Sequence, residues 1–200
     1  LKRLFGNKNW QHSSDEELML ALQEGQNEAF DELYHRYSKK MLYYFYRLLN
    51  HDEDKAQDFL QDLFIKVVER PEMFNTNKRF SSWLYTVASN MCKNEYRNPY
   101  MTGISDDEYE LNAMAVNVDN LIAQIDHKVF KKHLKKALTQ LEYVHRATFI
   151  LRFQERLSIR EISEVMECSE GTVKSRIHNC NKKLAQKLKQ FHPKSALGGR

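Results

Sequence analysis

Glycine and proline are scarce in this chain, at six and three of 200 residues. Leu, Lys, Glu and Gln abound instead, a composition that favours helices over strands. No apolar run approaches the roughly 20 residues needed to cross a bilayer. Leu1 to Gln11 lacks the apolar stretch and cleavage site of a signal peptide. Cysteine is as rare as proline: Cys92, Cys168 and Cys180 form no CxxC pair and are odd in number. A disulfide framework is therefore not expected, and the three read as ordinary thiols in a reducing cytoplasm. His178 and Cys180 are the one near pair of soft metal ligands, and they lack the HxE or CxxC company of a zinc site. No metal site or cofactor is expected.

What is present is enough apolar residue, 42%, to build a packed core, and a charge that is unevenly spread. The net charge is +4. Residues 1–98 are close to balanced, with 14 Lys/Arg against 15 Asp/Glu. Residues 99–126 hold six carboxylates and no Lys or Arg. Residues 127–191 hold 15 Lys/Arg against six Asp/Glu. A basic C-terminal third suggests a polyanion partner, though a well-solvated helical surface has the same composition.

Helix signals recur along the first half. Ser14 with Glu17 is a capping-box pattern, and Gly25 suits the position after a helix end. Asn27 is placed to cap a second helix, on which Phe30, Leu33, Tyr37, Met41, Tyr44 and Leu48 recur at steps of three or four. Asp52 can cap a third, with Phe59, Leu60, Leu63, Phe64, Val67 and Val68 as one broad apolar face that Pro71 ends. Ser81 is expected to cap a fourth, with Trp83, Leu84, Val87, Ala88 and Met91 inward, ending before Asn98-Pro99. Periodicity fails between Pro99 and Asp126 apart from some helix near Val116 to Ile125, so this acidic stretch reads as a linker. Beyond it, Val129, Leu134, Leu138 and Leu141 mark one helix, and Ala147, Ile150 and Leu151 another. The expected fold is all-α, in two small domains joined by an acidic linker. Its parts are an extension 1–13, a four-helix domain 14–98, a linker 99–126, a second domain 127–191 and a tail 192–200.

Residues 158–184 carry the sharpest signal. Ser158 with Glu161 is a second capping box, Ile159, Ile162 and Val165 point inward, and a turn at Glu167-Cys168 leads to Ser169, which can cap a final helix. A capped helix, a short turn and a second capped helix are the parts of a helix-turn-helix, and Ser163 is small enough for a close crossing. Val173, Ile177, Cys180 and Leu184 form the inward stripe of the last helix. Lys174, Ser175, His178 and Asn179 then lie on the opposite face near its start, the part of a recognition helix that meets base edges. Lys174 can donate to guanine and Asn179 can pair with adenine. Arg176, Lys182 and Lys183 suit phosphates, which position without specifying.

Here the residues resemble a known family. Leu157-Ser158-Ile159-Arg160-Glu161-Ile162, with Ser169-Glu170-Gly171-Thr172-Val173-Lys174-Ser175-Arg176-Ile177-His178, is similar to the C-terminal domain of extracytoplasmic-function (ECF) sigma factors of bacterial RNA polymerase. Two positions depart from it: Asn179 stands where the family often has Arg, and Glu167 where the turn usually has Gly. Ala29-Phe30 with Leu33-Tyr34, then residues 56–64, then Phe80 to Tyr85 with Ala88 and Asn90, is similar to the other sigma domain. Two blocks in the right order are far more specific than either alone.

The resemblance implies a transcription initiation factor that binds core RNA polymerase, reads the −35 and −10 promoter elements and promotes melting. It places −35 contacts at Lys174, Ser175, His178 and Asn179. It implies a polymerase-binding face at Asp58, Gln61 and Asp62, an i, i+4 carboxylate pair with a polar neighbour. It implies capture of a flipped −10 base by the loop before the fourth helix. There Asn75, Asn77, Lys78 and Arg79 supply donors and cations, and Phe80, Trp83 and Tyr85 supply rings. Asn90, Lys93, Asn94 and Arg97 could line the adjoining backbone path. The acidic linker would suit a basic polymerase channel, and an anti-sigma factor is an expected partner.

Three other readings compete. A simple helix-turn-helix regulator would bind duplex DNA and have no use for the block around Asp58. A metal-dependent nuclease or deaminase would need more ligands than His178 and Cys180. A redox sensor would use Cys168 and Cys180, for which burial as structural thiols is the alternative.

Overall fold

The computed structural model describes residues 10–97 and 121–191. Residues 1–9 of the expected extension, most of the acidic linker and the tail 192–200 lie outside the described residues. Within them every regular element is helical. A short turn, Trp10–His12, precedes α1 (Asp15–Gln23), α2 (Glu28–Leu48), α3 (Glu53–Glu69) and α4 (Phe80–Arg97). α5 (Leu121–Thr139), α6 (Tyr143–Phe149), α7 (Ile159–Val165) and α8 (Glu170–Lys187) form the second half.

Two helices share one local design. At the start of α1, Ser14 Oγ accepts from the Glu17 amide at 3.2 Å, and Glu17 Oε2 accepts from the Ser14 amide at 2.8 Å. Ser158 and Glu161 repeat this at the start of α7. Each box satisfies two amides that a helix start leaves without partners. The ends match too. Gly25 turns left-handed at φ +83°, and the amides of Gly25 and Gln26 reach back to the carbonyls of Leu22 and Ala21. Glu167, at φ +49°, closes α7 with the same pair of bonds from Glu167 and Cys168 to Glu164 and Ser163. A side chain in that region costs about 1–2 kcal/mol. The turn therefore keeps its geometry with Glu in the glycine position.

Asp52 caps α3 through the Lys55 amide, and Ser169 caps α8 through the Thr172 amide, both as expected. Two caps differ. Asn27 is helical and makes no side-chain cap. α4 begins at Phe80, ahead of Ser81, and Glu16 of α1 accepts the Phe80 amide at 2.9 Å. The cap comes from a neighbouring helix, so no local pattern announces it. α5 starts at Leu121, inside the stretch expected as linker. After α6 the chain widens into a π turn, Ile150–Gln154, which local spacing did not indicate. Val68 and Val129, expected inside, are exposed.

The main core runs through both halves. Leu33, Met41, Phe45, Leu63, Leu84 and Ala88 of α2–α4 belong to one buried cluster with Ile150, Leu151, Ile162, Val165 and Val173. A smaller cluster, Ala137, Leu138, Leu141, Cys180 and Leu184, lies beneath α5 and α8. Polar contacts stitch the halves together. The π turn delivers Glu155, whose carboxylate takes Arg47 at 3.0 Å and the Tyr85 hydroxyl at 2.6 Å. Arg146, only 2% exposed, donates to Asn50 Oδ1 at 2.6 Å and to the Tyr96 hydroxyl. Tyr143 donates to the Ser89 carbonyl at 2.7 Å.

Candidate nucleic-acid interface

The helix-turn-helix is built by α7 and α8. Val173 and Cys180 are fully buried, Leu184 is buried and Ile177 is partly buried, so the predicted stripe faces inward. Lys174, Ser175, His178, Asn179 and Lys182 are exposed on the other side. Arg176 differs. It is partly buried and its Nη1 lies 3.5 Å from Cys168 Sγ, which turns the guanidinium back toward the turn. Lys183 lies 3.9 Å from Glu142. Hydrogen bonds from the Ser158 amide and hydroxyl, joined by the charge of Arg79, hold the Glu161 carboxyl below its usual range.

His178 and Cys180 stand on opposite sides of α8, one exposed and one fully buried, so they cannot converge on one ion. Among the described residues no three metal-ligating side chains come together. Burial pushes the Cys180 thiol up to about 11 and raises Cys92 as well, which suits structural thiols over redox-active ones.

The loop between α3 and α4 is folded by its own turn and by α1. Pro71–Met73 makes one short turn, and Asn75 Oδ1 accepts the Asn77 amide at 3.0 Å. Gln23 of α1 donates its amide to the carbonyls of Pro71 at 2.8 Å and Phe74 at 2.9 Å. Asn75, Asn77, Lys78 and Arg79 stay exposed. A cavity of about 400 Å³ lies at this loop, lined by Thr76, Asn77, Lys78, Arg79, Ser81 and Glu16. Asn75 is not among its walls, since its side-chain oxygen shapes the turn.

The aromatic residues divide. Phe80 is fully buried, with its ring against Tyr37, Phe74 and Trp83, and offers no open face to a base. Tyr85 is buried on Glu155. Trp83 is only partly buried, packed on Phe74 and Phe80. Further along α4, Asn90 and Lys93 are partly exposed, and Asn94 and Arg97 are exposed. Arg79 is engaged by the second domain, at 2.8 Å from Glu161.

Asp58, Gln61 and Asp62 are exposed on α3. Beside them runs an apolar groove of about 730 Å³ between α2 and α3, walled mainly by Phe30, Tyr34, Leu60, Phe64, Ile65 and Val68. Tyr34, Ile65 and Val68 are each more than 40% exposed. The sequence carried a sign of this groove: α3 has more apolar residues than one inward stripe needs. Glu16 and Gln23 carried none, being bonded to residues 64 and 48 positions away.

A helix-turn-helix with a cationic outer face on one domain, and on the other a polar loop cavity and a separate acidic helix face beside an apolar groove, are the parts of a DNA-binding protein with a further surface open to a protein partner. Two family models match. Sigma-70 region 2 covers residues 33–99 and sigma-70 region 4 covers residues 132–184. The chain belongs to the sigma factors of RNA polymerase, in the ECF subfamily, and so is a promoter-specific initiation factor that binds the polymerase, not a simple helix-turn-helix regulator. It is 27% identical to ECF RNA polymerase sigma factor SigW of Bacillus subtilis, over 85% of this chain and 94% of that protein. It is 29% identical to RNA polymerase sigma-H factor of Pseudomonas aeruginosa, over 87% of this chain and 93% of that one. In fold it is similar to CnrH, solved in complex with the cytosolic domain of CnrY, with a TM-score of 0.65 at 20% identity over 90% of this chain and 100% of that one. The sigma factor RpoE of Bartonella quintana, solved with the anti-sigma factor NepR, gives 0.65 at 20% identity over 82% and 98%. Sigma factors as a class are initiation factors without catalytic activity of their own. Among the described residues no helix is long and apolar enough to cross a membrane.

Proposed function

We propose a division of labour among the residues of this initiation factor. Lys174, Ser175, His178 and Asn179 read −35 base edges in the major groove, with Lys182 on phosphate. Arg176, held near Cys168, steadies the turn as well as adding charge. The loop Asn75–Arg79 holds the displaced −10 strand, with Asn77 and Lys78 at the cavity and the exposed side of Trp83 beside it. Asn90, Lys93, Asn94 and Arg97 follow the strand backbone along α4. Phe80 supports the loop from inside. Asp58, Gln61 and Asp62, extended by the groove at Ile65 and Val68, form the polymerase surface.

The observation that carries this reading is the exposed, cationic outer face of α8 on the same chain as the α1-braced loop. Neither packing nor an internal partner uses the side chains of Lys174, Ser175, His178 and Asn179 among the described residues. The chain performs no catalytic step. Melting follows because the displaced strand is bound better than the closed duplex, which shifts the equilibrium toward the open state. It works in the cytoplasm, where polymerase is, and an anti-sigma factor is a further partner, as in the RpoE complex.

The test is to add the protein to bacterial core polymerase and look for specific run-off transcripts from a genomic promoter library. Specific starts sharing a −35 and a −10 sequence support the reading. Duplex binding without any association with polymerase would overturn it.

A further inference from the structure

We infer that Glu16, on α1, is a specificity-determining residue of the −10 site: it selects a displaced base that carries an exocyclic amine and rejects thymine. The inference rests on the reading that the Asn75–Arg79 loop holds the displaced strand.

Glu16 is the single carboxylate in the wall of the loop cavity, among Thr76, Asn77, Lys78, Arg79 and Ser81. The other five side chains can all donate a hydrogen bond, while an ionised carboxylate can only accept. The acceptor is also fixed in place. Glu16 Oε1 takes the Phe80 amide at 2.9 Å, which anchors the carboxylate at the start of α4, where the helix dipole favours negative charge. Among the described residues Oε2 makes no hydrogen bond, so one oxygen remains for a ligand.

A carboxylate repels phosphate. Lys78, on the exposed rim, attracts it, as does Arg79 once it parts from Glu161. The strand backbone therefore belongs on the rim and an uncharged base in the cavity. Cytosine, adenine and guanine each carry an exocyclic amine that donates to a carboxylate, whereas the exposed edge of thymine has none and offers only N3–H, set between two carbonyl oxygens. A carboxylate that reaches the thymine N3–H also meets a flanking carbonyl, acceptor against acceptor, which costs binding relative to an amine with no such neighbour on the side it presents. Asn77, Ser81 and Thr76 do not discriminate in this way, since each both donates and accepts, and Lys78 and Arg79 are placed with the phosphates.

The test uses the full chain with core polymerase on promoters whose non-template −10 strand is randomised. Wild type should show one −10 position at which an amine-bearing base outperforms thymine by about tenfold or more. Glu16→Gln keeps an oxygen for the Phe80 amide and adds a donor for a carbonyl. It should bring that ratio to within about threefold, while preferences at the other −10 positions stay as they are. An unchanged ratio at every −10 position would overturn the inference and leave Glu16 as a helix cap only. A second measurement needs no variant: replacing the preferred base by its N,N-dimethylated form should lower wild-type transcription to the thymine level, and undiminished transcription would overturn the inference equally. Asn77→Ala and Lys78→Ala separate the two levels. If they alter −10 dependence and Glu16→Gln does not, the loop reading stands without Glu16. If none of the three alters it, the loop is not the −10 contact and both readings fall.

Discussion

Arg79 Nη1 lies 2.8 Å from Glu161 Oε1, so a cation of the loop proposed for the −10 strand is held by the first helix of the helix-turn-helix proposed for the −35 element. The same partnership is repeated more deeply at Glu155 and Arg146. A packed body of this size has a radius of gyration of about 16 Å. The two promoter elements are, by their names, about 25 base pairs apart, or about 85 Å along the duplex. On the proposed assignments the packed halves cannot reach both at once, and these contacts part before a promoter is fully engaged.

Glu155 is the contact to remove. Its side chain is 8% exposed and serves both Arg47 and Tyr85. Glu155→Ala strands a buried hydroxyl and an arginine, at a cost of about 1–3 kcal/mol to the packed state. The free chain should gain radius of gyration in small-angle scattering, with duplex −35 affinity unchanged. Identical scattering curves for variant and wild type would mean that this carboxylate does not hold the halves together.

The same interface responds to acid. Burial, and then the charges of Lys135, Arg146 and Arg47, lower His51 from its ordinary 6.5 to about 4. Its ring packs on Tyr46, and Lys135 and Arg146 belong to the second half. Between pH 6.5 and 4 the unfolded chain holds a proton that the folded chain refuses, so stability is full above 6.5 and falls as pH falls through this window. His51→Asn keeps a residue that tolerates the left-handed backbone at φ 70°. The variant should show a smaller drop in urea midpoint than wild type between pH 7 and pH 5. Parallel curves would remove His51 from the account.

How much of this could be read beforehand depends on the range of each interaction. Ser14 with Glu17 and Ser158 with Glu161 are bonded three residues apart, and the sequence announces both. The stripe Val173, Cys180 and Leu184 is legible for the same reason, because helical spacing decides which side is buried. The outward positions Lys174, Ser175, His178 and Asn179 follow from it by elimination. Ser81 failed as a cap because a stronger acceptor, Glu16, arrives from a helix distant in sequence. Phe80 looked available for stacking because an aromatic next to a basic loop has the same composition whether it faces a base or Phe74 and Tyr37. The packing of one domain on the other left no local trace, since Arg146 and Glu155 look like two of many surface charges.

Lys174 tests the −35 assignment without disturbing the fold. It is exposed on α8 and faces away from the stripe at Val173 and Ile177. Lys174→Ala should weaken specific duplex binding by about 5- to 150-fold, the range for losing one base contact. The loss should fall on one base position of the element, with polymerase affinity unchanged in a pull-down with core enzyme. A uniform loss over all sequences, with a shallower salt dependence, would instead make Lys174 a phosphate contact.

Ile65 gives the converse experiment. It is 41% exposed at the wall of the α2–α3 groove, close to Asp62 on the same helix. A polar residue there costs the fold only about 1 kcal/mol, because the position is two-fifths exposed. Apolar side chains left in water next to a carboxylate pair are what a protein partner with both apolar and cationic groups would cover. Ile65→Glu should therefore lower affinity for core polymerase by about tenfold or more, the scale of one lost interface anchor. Its −35 duplex binding should match wild type, and its melting temperature should fall only slightly. Because Lys174→Ala is expected to do the opposite in polymerase affinity and in duplex binding, the two variants together separate the surfaces. If Ile65→Glu binds polymerase as wild type does, the groove is not part of that surface, and the contact must be confined to Asp58, Gln61 and Asp62.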